Sequence, residues 1–306
     1  MTSKKAVIDI GTNSIKFCLA EGSSDGTYTV LKDANDIARL GEGLKDTGLI
    51  APEALERNAQ SVAAFAAEAK SAGADEIVAV GTMALRTAKN SADFAARVKE
   101  LCGIDLRVIP GEEEAQLSYT AVMSGITGAA DANLVTFDTG GGSTEFVFGE
   151  AGKLVRKFSL NVGAVRFTEQ YLSEMPVSAE KLAEAQAAIK AELAEGGVKG
   201  PVAFLVGMGG TVTSMASVKH KMAVYDPDVI QGSELTLDDV KAQIADYAAK
   251  TLDQRREIVG LQPKRADVIL AGACIVCAIL ELCGASKLTV SDRSLRHGLM
   301  YHLFKA

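Results

Sequence analysis

The chain has 306 residues, 48% of them hydrophobic, enough to bury two cores of ordinary domain size, and it contains no low-complexity segment. Its net charge is −7, with 39 acidic against 32 basic side chains, which excludes the broad basic footprint of a nucleic-acid-binding surface. Any polyanion it takes is held locally, by loop N–H groups, a few arginines and a cation.

The opening MTSKKAVIDIG enters a strand with no room for a secretory leader, so a cytoplasmic protein is expected. A polar hairpin then interrupts the apolar pattern between Ala6 and Leu31. A helix over Pro52–Ser71, the strand Glu76–Gly81, a helix over Ser91–Leu101, the strand Asp105–Pro110 and a helix opening at Gly111 follow. This alternation predicts an α/β fold. The small, glycine-rich stretch Met123–Ala132 marks a domain junction, giving lobes over 1–124 and 125–306.

The second set begins with three short strands between residues 133 and 163. Helices over Gly163–Leu172 and Ser178–Ala194, the strand Val202–Gly207, a glycine turn with a helix, and a helix capped by Thr236 with Asp239 three residues on come next. The longest apolar segment, Ala266–Ala285, carries Asp267 and Glu281 and ends on a glycine signal, the pattern of a buried helix and not of a membrane span. A strand at Lys287–Ser291 and a helix over Arg293–Phe304 complete the chain; packing of that helix back on the first lobe is the alternative to its place in the second. Five cysteines, Cys18, Cys102, Cys274, Cys277 and Cys283, include one C-x-x-C inside the apolar segment, without a second pair or nearby histidines. They read as core residues.

Laying VIDIGTNSIKF over TFDTGGGSTEF matches Asp9 to Asp138, Gly11 to Gly140, Ser14 to Ser143 and Phe17 to Phe146 without a gap. Two similarly folded lobes with their turns facing one cleft are expected from such a repeat. Glycines let a turn approach a ligand closely, and successive N–H groups form an anion-binding concavity. Hydroxyls of Thr12, Ser14, Ser143 and Thr144 add donors, so phosphate is the natural occupant. For either turn alone, a plain β-hairpin is the competing reading; duplication favours the ligand. Asp9, Asp138 and Glu145 are acids within an anion site, which calls for a cation, and hard carboxylate oxygens suit Mg²⁺. For Glu145 a solvated strand face is the other explanation. A third glycine cluster, Val206–Ala216, follows an apolar strand and opens a helix without forming a G-x-G-x-x-G fingerprint.

Taken together, DIGTNS, DTGGGSTE and GMGGT resemble the phosphate loops and nucleotide-side loop of the superfamily of acetate and sugar kinases, heat-shock chaperones and actin. RLGEGL at Arg39–Leu44, GTMALR at Gly81–Arg86, PGEEEA at Pro110–Ala115 and SDRSLRHGLMY at Ser291–Tyr301 resemble one branch, the exopolyphosphatase and guanosine pentaphosphate phosphohydrolase family, in its short two-domain form. The resemblance implies two ribonuclease-H-like lobes flanking an interdomain cleft, the actin-like ATPase fold. It implies Glu114 as general base, although Glu112 and Glu113 adjoin it and acids at a helix start are also expected from the macrodipole. Arg86 would balance phosphate charge.

Asp138 would bind Mg²⁺ with Glu145 as second acid, Mn²⁺ being the alternative ion. Asp9, Gly11, Thr12, Asn13, Ser14 and Arg39 would bind substrate in the first lobe. Gly140, Gly141, Gly142, Ser143, Thr144, Gly209, Gly210, Thr211 and Arg265 would do so in the second. The implied activity is Mg²⁺-dependent hydrolysis of the terminal phosphoanhydride of inorganic polyphosphate. Guanosine pentaphosphate is the alternative substrate, and a superfamily kinase or a non-catalytic alarmone sensor the more distant readings. A homodimer is expected, with no nucleic-acid or membrane partner. The three histidines, His220, His297 and His302, are too dispersed for the helical metal domain of the longer members.

Overall fold

Strand-forming runs closed by glycine turns organise the chain into two sheets, each with its own core, in a computed structural model that describes residues 2–24, 27–123, 125–126, 133–150 and 153–305. Two compact units result: Met1–Ala121 with Leu295–Ala306, and Val122–Ser294. The junction read at Met123–Ala132 lies outside the described residues apart from Met123, Gly125 and Ile126.

In the first unit, β1 (Ser3–Ile10), β2 (Ile15–Gly22) and β3 (Tyr28–Asp36) form an antiparallel meander. After α1 (Leu44–Thr47) and α2 (Pro52–Ser71), β4 (Glu76–Gly81) returns parallel to β1. Then α3 (Met83–Thr87), α4 (Ser91–Cys102), β5 (Leu106–Val108), parallel to β4, and α5 (Gly111–Met123) follow. The sheet order is β3-β2-β1-β4-β5. Successive side chains of β1 leave on opposite faces, and both faces are covered. Ala6, Ile8 and Ile10 join Phe17, Val62, Ala66, Phe94 and Val98 under α2 and α4, while Val7 joins Cys18, Ala20 and Val80 on the other face.

The second unit repeats the plan. β6 (Leu134–Thr139), β7 (Thr144–Glu150) and β8 (Lys153–Leu160) are antiparallel. After α6 (Ala164–Tyr171) and α7 (Ala179–Glu195), β9 (Phe204–Met208) lies parallel to β6. The remaining elements are α8 (Gly209–Lys219), α9 (Pro227–Ile230), β10 (Glu234–Thr236), α10 (Leu237–Ala249), α11 (Leu252–Arg256), α12 (Ile269–Leu282) and β11 (Lys287–Val290). The order β8-β7-β6-β9-β11 matches the first sheet strand for strand, with β10 added beyond β11. Ile269 to Leu280 of α12 are all buried, so its uniform apolarity serves a core; no described helix is long and apolar enough to cross a membrane. Within it, burial pushes the Cys274 thiol up to about 12 and raises Cys277 as well. Cys18 and Cys283 are also buried, whereas Cys102 is partly exposed, its thiol donating to Val98 O at 3.1 Å.

The strand β3 runs to Asp36, beyond the hairpin end read at Leu31, because it stays paired with β2 throughout, across an irregularity between Leu19 and Ala20. The helix after β9 starts at Gly209 with no intervening turn. The short elements α1, α3, α9, α11 and β10 span too few residues to show a period in the sequence.

The last helix, α13 (Leu295–Lys305), lies in the first unit. Leu295, Leu299, Met300 and Phe304 bury against Val7, Cys18, Ala20, Ile109 and Leu117. A Cβ on Gly298 would stand 1.9 Å from Leu117 O, so only glycine permits this approach to α5. Arg296 forks onto Asp33 of β3, with Nε 2.9 Å from Oδ1 and Nη2 2.9 Å from Oδ2, and His297 Nε2 lies 2.8 Å from Oδ2. Burial alone would raise the Asp33 carboxyl; the Arg296 charge and the His297 hydrogen bond outweigh it and hold the group at about 2, against an ordinary 3.8.

A carboxyl lowered on folding stabilises fully above its unfolded pKa and loses that contribution as pH falls through the folded one. Replacing Asp33 by Asn is therefore expected to destabilise the protein by about 2 kcal/mol at neutral pH. The gap to the parent closes between about pH 4 and pH 2, as read in urea titrations at stepped pH. Gly298→Ala is expected to lower stability by about 1–3 kcal/mol through overpacking, measured by guanidinium unfolding followed by circular dichroism.

Candidate functional site

The two glycine turns share one closure. Gly11 donates its N–H to Ser14 O at 3.0 Å, and Gly140 donates to Ser143 O at 2.9 Å. Each turn joins directly opposed strand residues, Ile10 to Ile15 and Thr139 to Thr144. The residue before each of these is an aspartate, and the register decides what faces it.

In the first unit Asp9 is directly opposite Lys16. Side chains of such a pair share one face, and Lys16 Nζ lies 4.0 Å from Asp9 Oδ2, with Asp9 buried. The turn is braced from two sides. Thr82 donates both its N–H and its hydroxyl to Ile10 O at 3.2 Å. Arg39 N–H donates to Asn13 O and Gly41 N–H to Thr12 O, both at 2.9 Å. Arg39 itself sits at φ +53°, and a Cβ on Gly41 would meet Thr12 Cγ2 at 2.3 Å, which accounts for a glycine in RLG. With two of its carbonyl acceptors taken up, the turn is biased toward offering donors. Thus Asp9, Gly11, Thr12, Asn13, Ser14 and Arg39 form one group.

Arg86 and Glu114 meet in the same unit. Arg86 on α3 donates Nη1 to Ile109 O at 2.9 Å and to Glu114 Oε2 at 2.7 Å. Both side chains are mostly buried, 22% and 15% exposed. A Cβ on Gly111 would lie 3.7 Å from Arg86 Nη2, so the guanidinium packs against the start of α5. The three consecutive glutamates of that helix separate here: Glu112 is exposed, Glu113 pairs with Arg107 at 2.8 Å, and Glu114 turns inward to Arg86.

In the second unit the residue opposite Asp138 is Glu145. Glu145 is buried, and its Oε1 accepts from the hydroxyls of Ser143 at 2.5 Å and Ser159 at 2.8 Å. Thr144 Oγ1 donates to Val162 O. The start of α6 braces this turn as Arg39–Gly41 braces the other: Ala164 N–H donates to Gly140 O at 3.0 Å and Val165 N–H to Gly141 O at 2.9 Å. A Cβ on Gly163 would meet Gly141 O at 2.3 Å.

The third cluster joins this second group. Gly209, at φ +82°, opens α8, and a Cβ there would stand 2.0 Å from Asp138 Oδ1. The carboxylate therefore lies against a helix N-terminus, where free N–H groups and the macrodipole favour negative charge. Thr211 Oγ1 donates to Thr139 O at 3.4 Å. A Cβ on Gly210 would be 2.2 Å from Arg265 Nη2. Burial lowers the pKa of Arg265, opposed by the charges of Tyr225 and Asp138, so Arg265 is a nearly dry cation beside the acid. The expected residues thus divide between the two units, the first holding both the Asp9–Arg39 turn and the Arg86–Glu114 pair.

Two polar residues emerge that sequence reading leaves out, Lys16 and Ser159. The gapless overlay already aligns Lys16 with Glu145, a visible signal; Ser159 depends on the β7–β8 register, which has none. The contrast bears on a metal. The first unit's aspartate faces a lysine at 4.0 Å; the second unit's aspartate faces another carboxylate, and that like-charge pair is offset in part by the α8 N-terminus and Arg265. Two hard oxygen donors in that arrangement fit Mg²⁺.

A family model described as the Ppx/GppA phosphatase family matches residues 19–306. Exopolyphosphatase 2 of Mycobacterium tuberculosis is 32% identical over 316 residues, which cover 98% of this chain and 98% of that protein. The bifunctional 3-dehydroquinate synthase/phosphatase of Fusobacterium nucleatum is 32% identical over 298 residues, covering 94% of this chain and 45% of that protein, so the chain spans about half the length of that relative. The solved structure of an Aquifex aeolicus Ppx/GppA enzyme is 31% identical, with a TM-score of 0.83 over 99% of this chain and 100% of that one. The fold is accordingly α/β, of the actin-like kind with a ribonuclease-H-like sheet in each unit.

The mostly buried Arg86–Glu114 pair is expected to show a coupling energy of about 1–3 kcal/mol in a double-mutant cycle of Arg86→Ala and Glu114→Gln, read from denaturant midpoints.

Proposed function

Because this chain belongs to the Ppx/GppA phosphatase family, we propose that it hydrolyses the terminal phosphoanhydride of inorganic polyphosphate and releases orthophosphate one unit at a time. The likeness to an exopolyphosphatase over 98% of both chains supports the substrate class. The observation that carries the chemistry is the inward turn of Glu114 onto Arg86, 2.7 Å apart in a mostly buried setting.

Terminal phosphoryl transfer to water proceeds through a loose, in-line displacement and asks the protein for an oriented water, a base and charge neutralisation. Glu114 accepts a proton from the attacking water as the oxygen bonds to phosphorus and the bridging oxygen departs with the shortened chain. Arg86 fixes the Glu114 carboxylate through Nη1 and directs its remaining N–H groups at phosphate oxygens. The turn N–H groups of Gly11–Ser14 and Gly140–Thr144 that do not close the turns, together with the Ser14 hydroxyl, cradle phosphates, as does the α8 start at Gly209–Thr211; Arg39 and Arg265 add fixed positive charge. Asp138 and Glu145 would hold Mg²⁺, with Mn²⁺ as the alternative, and the ion would offset charge on the phosphate oxygens. Guanosine pentaphosphate presents the same terminal group and is the alternative substrate. The proposal takes the enzyme as a cytoplasmic homodimer, an assembly that sedimentation equilibrium checks.

Glu114→Gln is expected to lower turnover of polyphosphate by about 10²–10⁴-fold while polyphosphate binding, followed calorimetrically, persists. Unchanged turnover removes Glu114 from the mechanism. Asp138→Asn is expected to raise the Mg²⁺ concentration needed for half-maximal orthophosphate release. Release from guanosine pentaphosphate at equal Mg²⁺ ranks the two substrates, and ATP-dependent transfer to an acceptor with inert polyphosphate would overturn the hydrolase reading.

A further inference from the structure

Cys18 on β2 and Asp33 on β3 are directly opposed in the antiparallel register, so their side chains leave the sheet on one face. That face is covered by α13, whose first turn brings His297 onto Asp33. One donor atom from each of Cys18, Asp33 and His297 lies within 4.8 Å of the other two, and no other such group of His, Cys, Asp or Glu occurs among the described residues. We propose that these three side chains bind a single borderline-soft divalent cation, best matched by Zn²⁺, which ties the last helix to the β2–β3 edge of the first unit.

The donor set selects the ion. A thiolate and an imidazole suit zinc and its neighbours, whereas Mg²⁺ and Ca²⁺ take oxygen ligands. Donors around a tetrahedral zinc, with bonds of about 2.3 Å to sulfur and about 2.0 Å to nitrogen, stand about 3.5 Å apart; the donors here, all within 4.8 Å of one another, reach that spacing as the 2.8 Å His297–Asp33 contact opens and the wider-set atoms draw in. Cys18 is fully buried and His297 nearly so, while the Asp33 side chain is 24% exposed. The ion therefore enters past Asp33, and water completes its coordination there.

Binding releases the Cys18 proton to solvent and breaks the His297–Asp33 hydrogen bond, the imidazole binding in its neutral form through a nitrogen that bears no proton, so that thiolate and carboxylate offset the dication. The buried Arg296 guanidinium, forked on both oxygens of Asp33, leaves one net positive charge and orients the carboxylate, as outer-shell partners of metal ligands do. The sequence hides the set: its members stand at positions 18, 33 and 297 with no ligand spacing between them.

The metal-stripped full chain is titrated with Co²⁺ and then Zn²⁺. The expected result is one equivalent of cobalt showing a thiolate-to-metal charge-transfer band and the visible bands of a four-coordinate ion, displaced by zinc, with the thermal midpoint raised by zinc in excess. Cys18→Ser is expected to abolish the charge-transfer band, the Cys274→Ser/Cys277→Ser double variant to retain it, and His297→Gln to weaken cobalt binding by at least about tenfold. Asp138 and Glu145 offer no sulfur, so the band reports this cluster whatever becomes of the hydrolytic reading. A folded parent protein without the band, or a band that survives Cys18→Ser, overturns the proposal. Should Cys18→Ser not fold by circular dichroism, unaltered cobalt affinity in His297→Gln overturns it instead.

Discussion

The hydrogen bond from a glycine N–H to a serine carbonyl three residues on, made once in each unit, is the constraint from which the rest follows. It closes a tight turn between two strands and thereby fixes their register, and in an antiparallel pair the register decides which side chains share a face. A slip of one residue would move Asp9 and Asp138 to the opposite side of their sheets. The braces that hold each turn, Arg39–Gly41 in one and the start of α6 in the other, come from unrelated segments but do the same job, engaging the turn's carbonyls.

From that common frame the two units diverge by charge. Asp9 meets a lysine and is locally balanced; Asp138 meets a glutamate, a helix N-terminus and a nearly dry arginine. The first unit adds the Arg86–Glu114 pair, and the second the glycines that open α8. Duplication of a strand–turn–strand device followed by a single change of sign at one cross-strand position, Lys16 against Glu145, separates an ion pair from a pair of carboxylates suited to a cation.

Much of this was legible because it is contiguous in the chain. α2 and β4 occupy the spans read for them, since a proline in the first turn and the αL glycine at position 73 bracket one and an unbroken apolar run makes the other. The repeated turns stand out for the same reason. What could not be read is whatever depends on pairing at a distance. Arg86 reaches Glu114 only because α3, too short to show a period, follows β4 directly and sets the guanidinium under the start of α5. Among the three glutamates at 112–114, only the turn of the helix distinguishes the one that points inward. Cys18 and His297, read apart as a core cysteine and as part of the SDRSLRHGLMY stretch, come together through a strand register and a helix from the other end of the chain.

That helix carries a consequence for how the protein is made. α13 covers the face formed by Val7, Cys18, Ala20 and Val80, yet it is synthesised only after every residue of the second unit. Domains generally fold as units while the chain emerges, N-terminal first. Until α13 is made, the earlier-made unit has an apolar flank of its sheet uncovered, while the later-made one already has all its parts. A product released before α13 is made would leave that flank exposed, a surface of the kind that favours aggregation.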